Sequence, residues 1–424
     1  MEQQTGRKGP KMSKGHVHVI GAGIVGLATA ACLVQRGYRV TVLEREGPAA
    51  GASQGNAAAI AWTDVAPMAT PGIWKQALKW LADPLGPLAV RPAYALRILP
   101  WMLRFLAASR PAQVARGTKA LVELNGAALD AWERLWRASG THNRVRRDGC
   151  LELFDTPASL QSARAGWDEQ RHYGIRVEEL DADALREMEP DLSDRVVGGA
   201  LVPEWVQVDE PKALCLAIAD WLKTAGVVFQ AGEADRLVPS ADGCDIHLKD
   251  GNRIAADTLV VACGAWSGRL ARQLGDRIPL DTERGYNITV PQPGVRVNRM
   301  IMLPGHGFVM TPLATGLRVG GAVEFGGLHL PPNWKRVDAM LARARRFFPR
   351  LDAAAGTTWM GFRPSLPDSL PVISPATRCS RVFYAFGHAH HGLTQSAITG
   401  EVIADMVEGM RPAIDPAPYR ADRF

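Results

Sequence analysis

The 424-residue sequence predicts an α/β fold: a discontinuous, Rossmann-like domain with an inserted α+β domain made of an antiparallel sheet plus helices. A strand, a glycine-rich turn, a helix and a second strand open the chain between residues 16 and 44. A strand, a glycine-containing loop and a helix close it between 381 and 407. Between these ends, short alternating strands with Gly and Pro turns at 286–322 are typical of an antiparallel sheet.

The first unit is a βαβ motif. Its apolar pattern predicts a buried strand over 16–20, a helix over 24–36 and a second strand over 39–44. The turn between the first strand and the helix carries glycines in the spacing GxGxxG. Such a motif, with strand, helix and a later acidic residue in register, is typical of dinucleotide binding.

Each glycine of the motif has a physical role. Gly21 permits the tight turn, Gly23 leaves room for a pyrophosphate at the backbone, and Gly26 lets the helix pack close to the strand. The free N–H groups of the helix N-terminus attract phosphates. Glu44 ends the second strand and can accept hydrogen bonds from ribose hydroxyls, which favours FAD or NAD over NADP, although Arg45 beside it weakens this inference.

Composition excludes several classes of function. The net charge is +6, but the basic residues are scattered and no basic run is interleaved with aromatics, so we expect no nucleic acid as a partner. The six cysteines show no metal-ligand spacing; we expect buried thiols in a reducing compartment and no metal site. Residues 1–14 are polar and basic without an apolar signal, which predicts a disordered tail and a cytoplasmic protein.

Further elements follow from periodicity and turn residues. Helices are predicted over 118–139, 160–173, 181–190 with Asp181 as N-cap, 211–224, 337–348 and 393–407. Strands are predicted over 149–156, 198–203, 227–231, 244–248, 253–255, 257–262, 286–291, 299–303, 308–311, 317–322, 357–363 and 381–386. We therefore assign 15–72, 200–275 and 360–424 to the cofactor domain, and 73–199 and 276–359 to the substrate domain.

The segment from 71 to 111 changes composition and is rich in Leu, Trp and basic residues. Its tryptophans are Trp74, Trp80 and Trp101. Helical spacing fits 94–108, with a break expected at Pro100. Two interpretations stay open: a helical subdomain with one buried face, or a basic surface that contacts the inner face of the cell membrane.

Two side chains are candidates for substrate binding. Arg363 follows a predicted strand and precedes Pro364, so its guanidinium would be held at the strand exit, where it could bind a carboxylate through two parallel hydrogen bonds. A surface salt bridge is the alternative. Tyr286 could bind substrate or cover a flavin, or it could be a core aromatic; Arg284 beside it could stabilise the interface between domains.

The loop GHAHHGLT at 387–394 lies between the last strand and the last helix. A helix N-terminus at this place could stabilise negative charge on a reduced flavin. His388, His390 and His391 lack acidic or Cys partners at metal-ligand spacing, so a solvent-facing turn is a better alternative than a metal site. In the loop after Glu44, Ser53, Gln54 and Asn56 could line the cofactor, or form a flexible linker.

The chain resembles the FAD-dependent D-amino-acid oxidase superfamily, most closely the small-subunit type of bacterial D-amino-acid dehydrogenase and the glycine-oxidase-like enzymes. The resemblance rests on GAGIVG with its acidic residue, GASQGNAA, VVACGAWS, RGYNITV, GFRPSLPDSLPVI and GHAHHGLT, in this order along the chain. His390 and His391 depart from the glycine-oxidase pattern, and Ala234 stands where the family usually has a valine at the adenine.

The resemblance implies FAD and a set of site residues, and the absence of Cys from the 387–394 loop predicts that the FAD is held noncovalently. Arg363 would bind the substrate carboxylate, with Tyr286 and His390 as further catalytic candidates. The implied cofactor residues are Gly21, Gly23, Ile24, Val25, Gly26, Glu44, Arg45, Ser53, Gln54, Asn56, Ala57, Ala234, Ala262, Gly264, Gly387, His388, His391, Gly392, Leu393 and Thr394.

The implied activity is oxidative deamination of a D-amino acid: hydride passes from the α-carbon to the flavin, and the imine is hydrolysed to a 2-oxo acid. The electron acceptor would be a quinone of the respiratory chain or oxygen. Three alternatives stay open: a dehydrogenase for D-hydroxyproline or D-proline, an oxidase for a specialised amino acid, and a flavin electron-transfer subunit without catalysis.

Overall fold

The computed structural model describes residues 14–73, 77, 83, 85–240 and 242–424. The expected disordered tail lies outside the described residues up to position 13, and so do Trp74 and Trp80. Lys14 belongs to the folded chain: its backbone N–H donates to the Gly37 carbonyl at 3.3 Å, and its ammonium pairs with Glu408.

The helices follow most of the expected spans. They are α1 (Ile24–Gln35), α2 (Ala95–Ala108), α3 (Pro111–Gly126), α4 (Ala128–Ser139), α5 (Pro157–His172), α6 (Ala182–Met188), α7 (Pro211–Thr224), α8 (Ser267–Gln273), α9 (Lys335–Phe347) and α10 (Gly392–Val407). Short 3₁₀ turns at Gly264–Trp266 and Ala389–His391 precede α8 and α10. None of the helices in the described part of the chain has the length and apolar character needed to span a bilayer.

The strands of the described residues fall into four sheets. They are β1 (His16–Ile20), β2 (Arg39–Glu44), β3 (Ala59–Ile60), β4 (Leu88–Val90), β5 (Val145–Arg146), β6 (Cys150–Phe154), β7 (Glu178–Asp181), β8 (Gly198–Val202), β9 (Val206–Val208), β10 (Val228–Ala231), β11 (Ala234–Ser240), β12 (Gly243–Leu248), β13 (Arg253–Ala256), β14 (Thr258–Val261), β15 (Asp281–Val290), β16 (Met300–Leu303), β17 (Phe308–Leu313), β18 (Gly316–Phe325), β19 (Thr357–Ser365), β20 (Val372–Ala376) and β21 (Cys379–Phe386).

The first sheet has the order β10-β2-β1-β14-β21-β20 and is parallel except for β20. It therefore joins the two ends of the chain, as the sequence predicted. Helix α1 is buried against it and against α10, where the helices approach so closely that a Cβ at Gly400 would lie 2.7 Å from the Ala28 carbonyl oxygen. Because these strands are parallel, the loops that follow them all lie at the same edge of the sheet, the carboxyl edge.

The second sheet has the order β19-β15-β18-β17-β16-β6-β8-β7 and is mainly antiparallel, with β4 added beside β18. Its core is formed with α9 by apolar side chains such as Val319, Met340 and Phe347. Two smaller sheets, β11-β12-β13 and β3-β9-β5, complete the fold. The mixed α/β class with an antiparallel sheet is thus confirmed.

Three local predictions were wrong. The span 118–139 holds two helices, α3 and α4, which meet at the weak helix former Gly126, and α3 begins earlier because Pro111 suits a first helical position. Helix α2 continues through Pro100, which lies on its exposed side, where the carbonyl left without a partner can be hydrated. Strand β19 continues through Arg363 to Ser365 because it pairs with β15 along its full length.

The assigned domain boundaries remain a prediction, but two of them cut strands of the second sheet. The boundary at 199/200 falls within β8, and the boundary at 359/360 falls within β19. Arg363 therefore lies on the same sheet as Tyr286 rather than on the parallel sheet.

Candidate active site

A cavity of about 1060 Å³ lies between the carboxyl edge of the parallel sheet and one face of the second sheet. Loops that follow β1, β2, β10, β14 and β21 line one end of it. Side chains and backbone of β15, β18 and β19 line the other end. Ligands of open parallel sheets bind at this edge, so the topology alone marks the cavity as the candidate site.

The glycines of the first turn are required by close contacts. Gly21 has φ +108°, and a Cβ there would lie 2.5 Å from the Ala262 carbonyl oxygen. A Cβ on Gly26 would lie 1.9 Å from the Gly21 carbonyl oxygen. Gly23 has an extended backbone, and a Cβ would come within 3.3 Å of Ser53 Oγ. The turn thus leaves a small-residue cradle at the N-terminus of α1, where a pyrophosphate can approach the backbone.

Glu44 lies at the bottom of this end of the cavity. Its carboxylate accepts hydrogen bonds from the backbone N–H groups of Ala22 at 2.7 Å, Arg45 at 2.8 Å and Glu46 at 3.1 Å. Two carboxylate oxygens offer about four acceptor positions, so a ribose hydroxyl can still bind. Arg45 stacks over the Trp266 ring at 4.1 Å and closes one side of the cavity.

Arg363 lies at the other end of the cavity, on β19. Its guanidinium donates one hydrogen bond to the Ala322 carbonyl at 3.0 Å and lies directly over Gly285, where a Cβ would come within 2.3 Å of Nη2. Burial lowers the pKa of Arg363, and the Glu283 carboxylate opposes this shift. A partly buried guanidinium at a cavity wall is a strong binding site for a carboxylate.

Tyr286 contributes its ring to the cavity wall but not its hydroxyl. The hydroxyl donates to Glu324 Oε1 at 2.9 Å and accepts from the Asn333 N–H at 3.0 Å, and burial raises its pKa. The hydroxyl is therefore not positioned to hydrogen-bond a substrate, which was one of the roles that the sequence had suggested for Tyr286. Arg284 is buried beside it, and its hydrogen bonds to the carbonyls of Gly326 and Gly327 fix the chain after β18.

The three imidazoles of the last loop point to different partners. His388 Nε2 is 2.9 Å from Thr399 Oγ1, and burial lowers its pKa to about 3. His390 Nε2 is 2.8 Å from Glu283 Oε2, and His391 Nε2 is 3.7 Å from Asp64. Throughout the described residues, no group of three or more His, Cys, Asp or Glu side chains is arranged to hold a metal ion.

Comparison with known proteins decides the family. The profile of a family described as "FAD dependent oxidoreductase" matches residues 16–406. The chain belongs to this family. Its cofactor is FAD, and the protein is an FAD-dependent oxidoreductase, as predicted.

Relatives and structural neighbours agree with this assignment. This oxidoreductase is 36% identical over 416 residues to a protein named D-amino-acid oxidase from Bradyrhizobium diazoefficiens, covering 96% of this chain and 99% of the relative. It is 33% identical to a D-amino acid dehydrogenase from Sinorhizobium medicae, with the same coverage. Glycine oxidase from Geobacillus kaustophilus shares the fold, with a TM-score of 0.73 at 22% identity and coverage of 96% and 98%. The predicted superfamily is thus confirmed.

The oxidoreductase's cavity has a shape and chemistry that fit FAD. The glycine cradle suits the pyrophosphate, Glu44 suits a ribose, and the second sheet leaves space for the ring system. Most of the implied cofactor residues line this cavity: Gly21, Gly23, Ile24, Val25, Glu44, Arg45, Ser53, Asn56, Ala57, Ala234, Ala262, Gly264, His388, Gly392 and Leu393. Arg363, Tyr286 and His390 line it as well.

Five implied cofactor residues lie behind the wall instead. Gly26 packs against Gly21, and Gly387 packs against Leu366. Gln54 accepts from Lys212 at 3.2 Å, His391 faces Asp64, and Thr394 accepts from the Ala61 N–H at 3.0 Å. These five residues do not line the cavity, so their contact with FAD stays a prediction; in the described structure they support the residues that do line it.

Sequence reasoning missed Trp266, Trp359 and Glu283. Trp266 followed the strand–glycine pattern of VVACGAWS and could have been found from it. Trp359 fills the space left by two glycines, since a Cβ at Gly55 or Gly361 would overlap its ring, and no local pattern indicates this. Glu283 gave no signal because the strand was expected to begin only at 286, whereas it begins at Asp281.

Proposed function

We propose that this protein oxidises the α-carbon of a D-amino acid, yielding an imine that water hydrolyses to the 2-oxo acid. The observation that carries the proposal is the partly buried Arg363 guanidinium, which lines the same cavity that the glycine cradle and Glu44 line. The names of two relatives, D-amino-acid oxidase and D-amino acid dehydrogenase, support the substrate class.

Arg363 binds the substrate carboxylate and thereby orients the α-carbon. The guanidinium lies flat over Gly285, so its remaining N–H groups can meet both carboxylate oxygens. Bound FAD supplies the hydride acceptor. Fixing one end of a small substrate beside the reacting centre replaces a bimolecular encounter by an oriented one, which is a large source of rate.

The N-terminus of α10 faces the cavity through Gly392 and Leu393. The partial positive charge of a helix N-terminus favours negative charge nearby. We infer that this end of the helix stabilises the charge that develops on hydride transfer.

The cofactor is held without a covalent bond in this proposal. Among the described residues that line the cavity, Cys263 carries a thiol, which donates to the Ile20 carbonyl; burial raises its pKa to about 12. A thiol with so high a pKa is a poor nucleophile. Contact with FAD through the lining residues named above belongs to the same proposal.

We further propose that α2 contacts an anionic membrane surface. Its outer face exposes Leu96, Leu99, Leu103 and Leu106, while Trp101 is buried and donates to the Ser365 carbonyl. No acidic residue occurs from 84 to 122, whereas six basic residues do. An exposed apolar face flanked only by positive charge suits an interface with acidic lipids.

This helix also supports a choice of electron acceptor. Met102, Phe105 and Leu106 of α2 line the cavity, so lipid bound at the outer face would lie close to its opening. A membrane quinone is therefore the electron acceptor that we propose. Oxygen is the alternative, and the test must distinguish the two.

The substrate proposal is tested by mixing the purified holoenzyme anaerobically with a panel of D- and L-amino acids, including D-proline and D-hydroxyproline. We expect loss of the flavin absorbance with one or more D-amino acids. Reoxidation by a soluble quinone much faster than by air would identify a dehydrogenase. Unchanged flavin absorbance across the whole panel would refute the proposal, and bleaching by the cyclic substrates alone would redirect it to imino acids.

A further inference from the structure

His390 and Glu283 form a pair at the wall of the cavity. His390 Nε2 is 2.8 Å from Glu283 Oε2, and the His390 side chain remains 36% exposed while the Glu283 side chain is 1% exposed. Glu283 also lies directly opposite Arg363 in the register of β15 and β19. One buried carboxylate therefore lies beside both polar groups that a substrate can meet at this end.

The pairing determines which nitrogen of His390 is free. An ionised carboxylate only accepts hydrogen bonds, so Nε2 must carry the hydrogen. The other nitrogen, Nδ1, then holds a lone pair when the ring is neutral, and it makes no hydrogen bond to the residues that the structure describes. His390 lines the cavity, so this lone pair belongs to a group that a ligand can reach.

Glu283 stays ionised in its buried place. Burial alone would raise the pKa of Glu283, but the hydrogen bond and charge of His390 and the charge of Arg363 outweigh it and lower the pKa below its usual value. A proton bound by His390 would therefore be stabilised by a neighbouring negative charge.

The other titratable groups near the pair already have hydrogen-bond or ion-pair partners within the protein. On its own turn, His388 bonds Thr399 and His391 faces Asp64. On β15, Asp281 accepts from the Tyr94 hydroxyl, and Tyr286 bonds Glu324. Arg363 on β19 cannot accept a proton. At this end of the described cavity, His390 is thus the group suited to accept one.

We propose that Glu283 is a positioning residue that orients His390 to take a proton from the ammonium group of the bound substrate. The inference rests on the proposed function. An amino acid arrives with a protonated amine, and hydride can leave the α-carbon only after the nitrogen lone pair is free. The N–H bond of the ammonium breaks, a bond from hydrogen to His390 Nδ1 forms, and the imidazolium that results is paired with Glu283. The proton later leaves to water.

The pH dependence of anaerobic flavin reduction tests this step. The acidic limb of the profile reports the protonation of His390. We expect Glu283→Gln to move this limb to lower pH by about one unit, because loss of the nearby negative charge destabilises the imidazolium. A purely structural role for Glu283 would lower the rate without moving the limb. Asp155→Asn is the matched control: it removes the carboxylate of the His306–Asp155 pair, 3.0 Å apart and outside the cavity wall, and should leave the limb in place.

His390→Asn provides a second variant in case Glu283→Gln does not fold. We expect a rate loss of about 10²- to 10⁴-fold near neutral pH, the usual range for a missing acid–base group, with recovery at high pH where the free substrate loses its own proton. An acidic limb that stays at its wild-type pH in His390→Asn would overturn the inference.

Two further readouts keep the outcomes distinct. In the unliganded holoenzyme labelled with ¹⁵N-histidine, the neutral His390 ring should show hydrogen on Nε2 in wild type, and this tautomer preference should weaken in Glu283→Gln. Benzoate, a carboxylate without an amine, should bind wild type and His390→Asn with equal affinity by flavin absorbance. Reduction by substrate with an unmoved limb in Glu283→Gln refutes the inference and leaves the proposed function intact; no reduction of wild type by any amino acid refutes the proposed function itself.

Discussion

Arg363 owes its position to a residue without a side chain. A Cβ at Gly285 would come within 2.3 Å of one guanidinium nitrogen, so the cation can lie on the sheet surface only where position 285 is glycine. Cross-strand neighbours on one face of a sheet interact directly, and here glycine provides space rather than contact. The proposed substrate site therefore depends on two residues, 285 and 363, that lie on neighbouring strands and are 78 positions apart in the sequence.

Replacing Arg363 by Ala should strongly weaken carboxylate binding and leave FAD bound. Loss of one partner of a buried charge pair costs about 2–5 kcal/mol, so kcat/KM should fall by about 30-fold to several thousand-fold. The measurement is steady-state kinetics beside the flavin absorbance of the purified variant. Gly285→Ala keeps the cation but displaces it, and should impair kcat/KM in the same direction. Wild-type kcat/KM in Arg363→Ala would contradict the assignment.

At the scale of elements, α2 combines two faces with different surroundings. Ile98 and Trp101 are buried beside Phe325 of β18, while Leu96 is 88% exposed and Leu103 60% exposed. Four leucines on the outside of a single helix are unusual for a surface that meets only water. This is the element whose membrane contact the sequence left open as one of two interpretations.

Changing the outer face of α2 should release the protein from lipid. We expect wild type to co-float with vesicles containing phosphatidylglycerol and to release at high salt, and the Leu96→Glu/Leu103→Glu variant to bind at least about tenfold less. The reason is the loss of two apolar contacts, each worth roughly 1.5–3 kcal/mol when fully buried, and the addition of negative charge.

Leu216→Glu is the matched control, because Leu216 is an exposed leucine on α7. It should leave vesicle binding unchanged. Equal partition of wild type and the α2 variant would remove the membrane proposal without affecting the substrate proposal.

At the scale of the whole molecule, the parallel sheet contains a buried histidine that links stability to pH. His18 on β1 is 4% exposed, and burial lowers its pKa to about 4. His388 at the start of the last loop is shifted in the same direction, to about 3. In both cases the folded protein favours the neutral ring, whereas the unfolded chain takes up a proton near pH 6.5.

The free energy of unfolding should therefore carry the full contribution of these two rings above about pH 6.5, and this contribution should decline as the pH falls toward 4. The slope can reach about 1.4 kcal/mol per pH unit for each group while only the unfolded state is protonated. We expect His18→Val to flatten this decline, measured by urea unfolding at pH 7, 6 and 5 with constant excess FAD, which fixes the contribution of cofactor binding. His142→Gln, at an exposed position, should keep the wild-type slope. If the free energy of unfolding falls with pH equally steeply in His18→Val and in wild type, burial of the His18 ring does not control the pH dependence.

Local sequence determined the parts of this protein that depend on neighbours in the chain. The spacing of glycines, strand and helix between 16 and 44 was sufficient for the dinucleotide motif, because the motif lies within one turn and the start of one helix. The Asp181 cap was likewise predicted correctly, since its carboxylate accepts from the Ala184 N–H three residues on, at 2.9 Å.

Tertiary structure alone decided which polar groups lie at the end of the cavity that we propose for the substrate. Tyr286 and Glu283 lie three positions apart on one strand. The tyrosine hydroxyl hydrogen-bonds Glu324 and the Asn333 N–H, whereas the Glu283 carboxylate pairs with His390, 107 positions away in the sequence. The register of β15 against β19 and the arrival of the last loop set these pairs. Hydrogen bonds between residues distant in sequence form only after the sheets are assembled, and no local pattern can specify them.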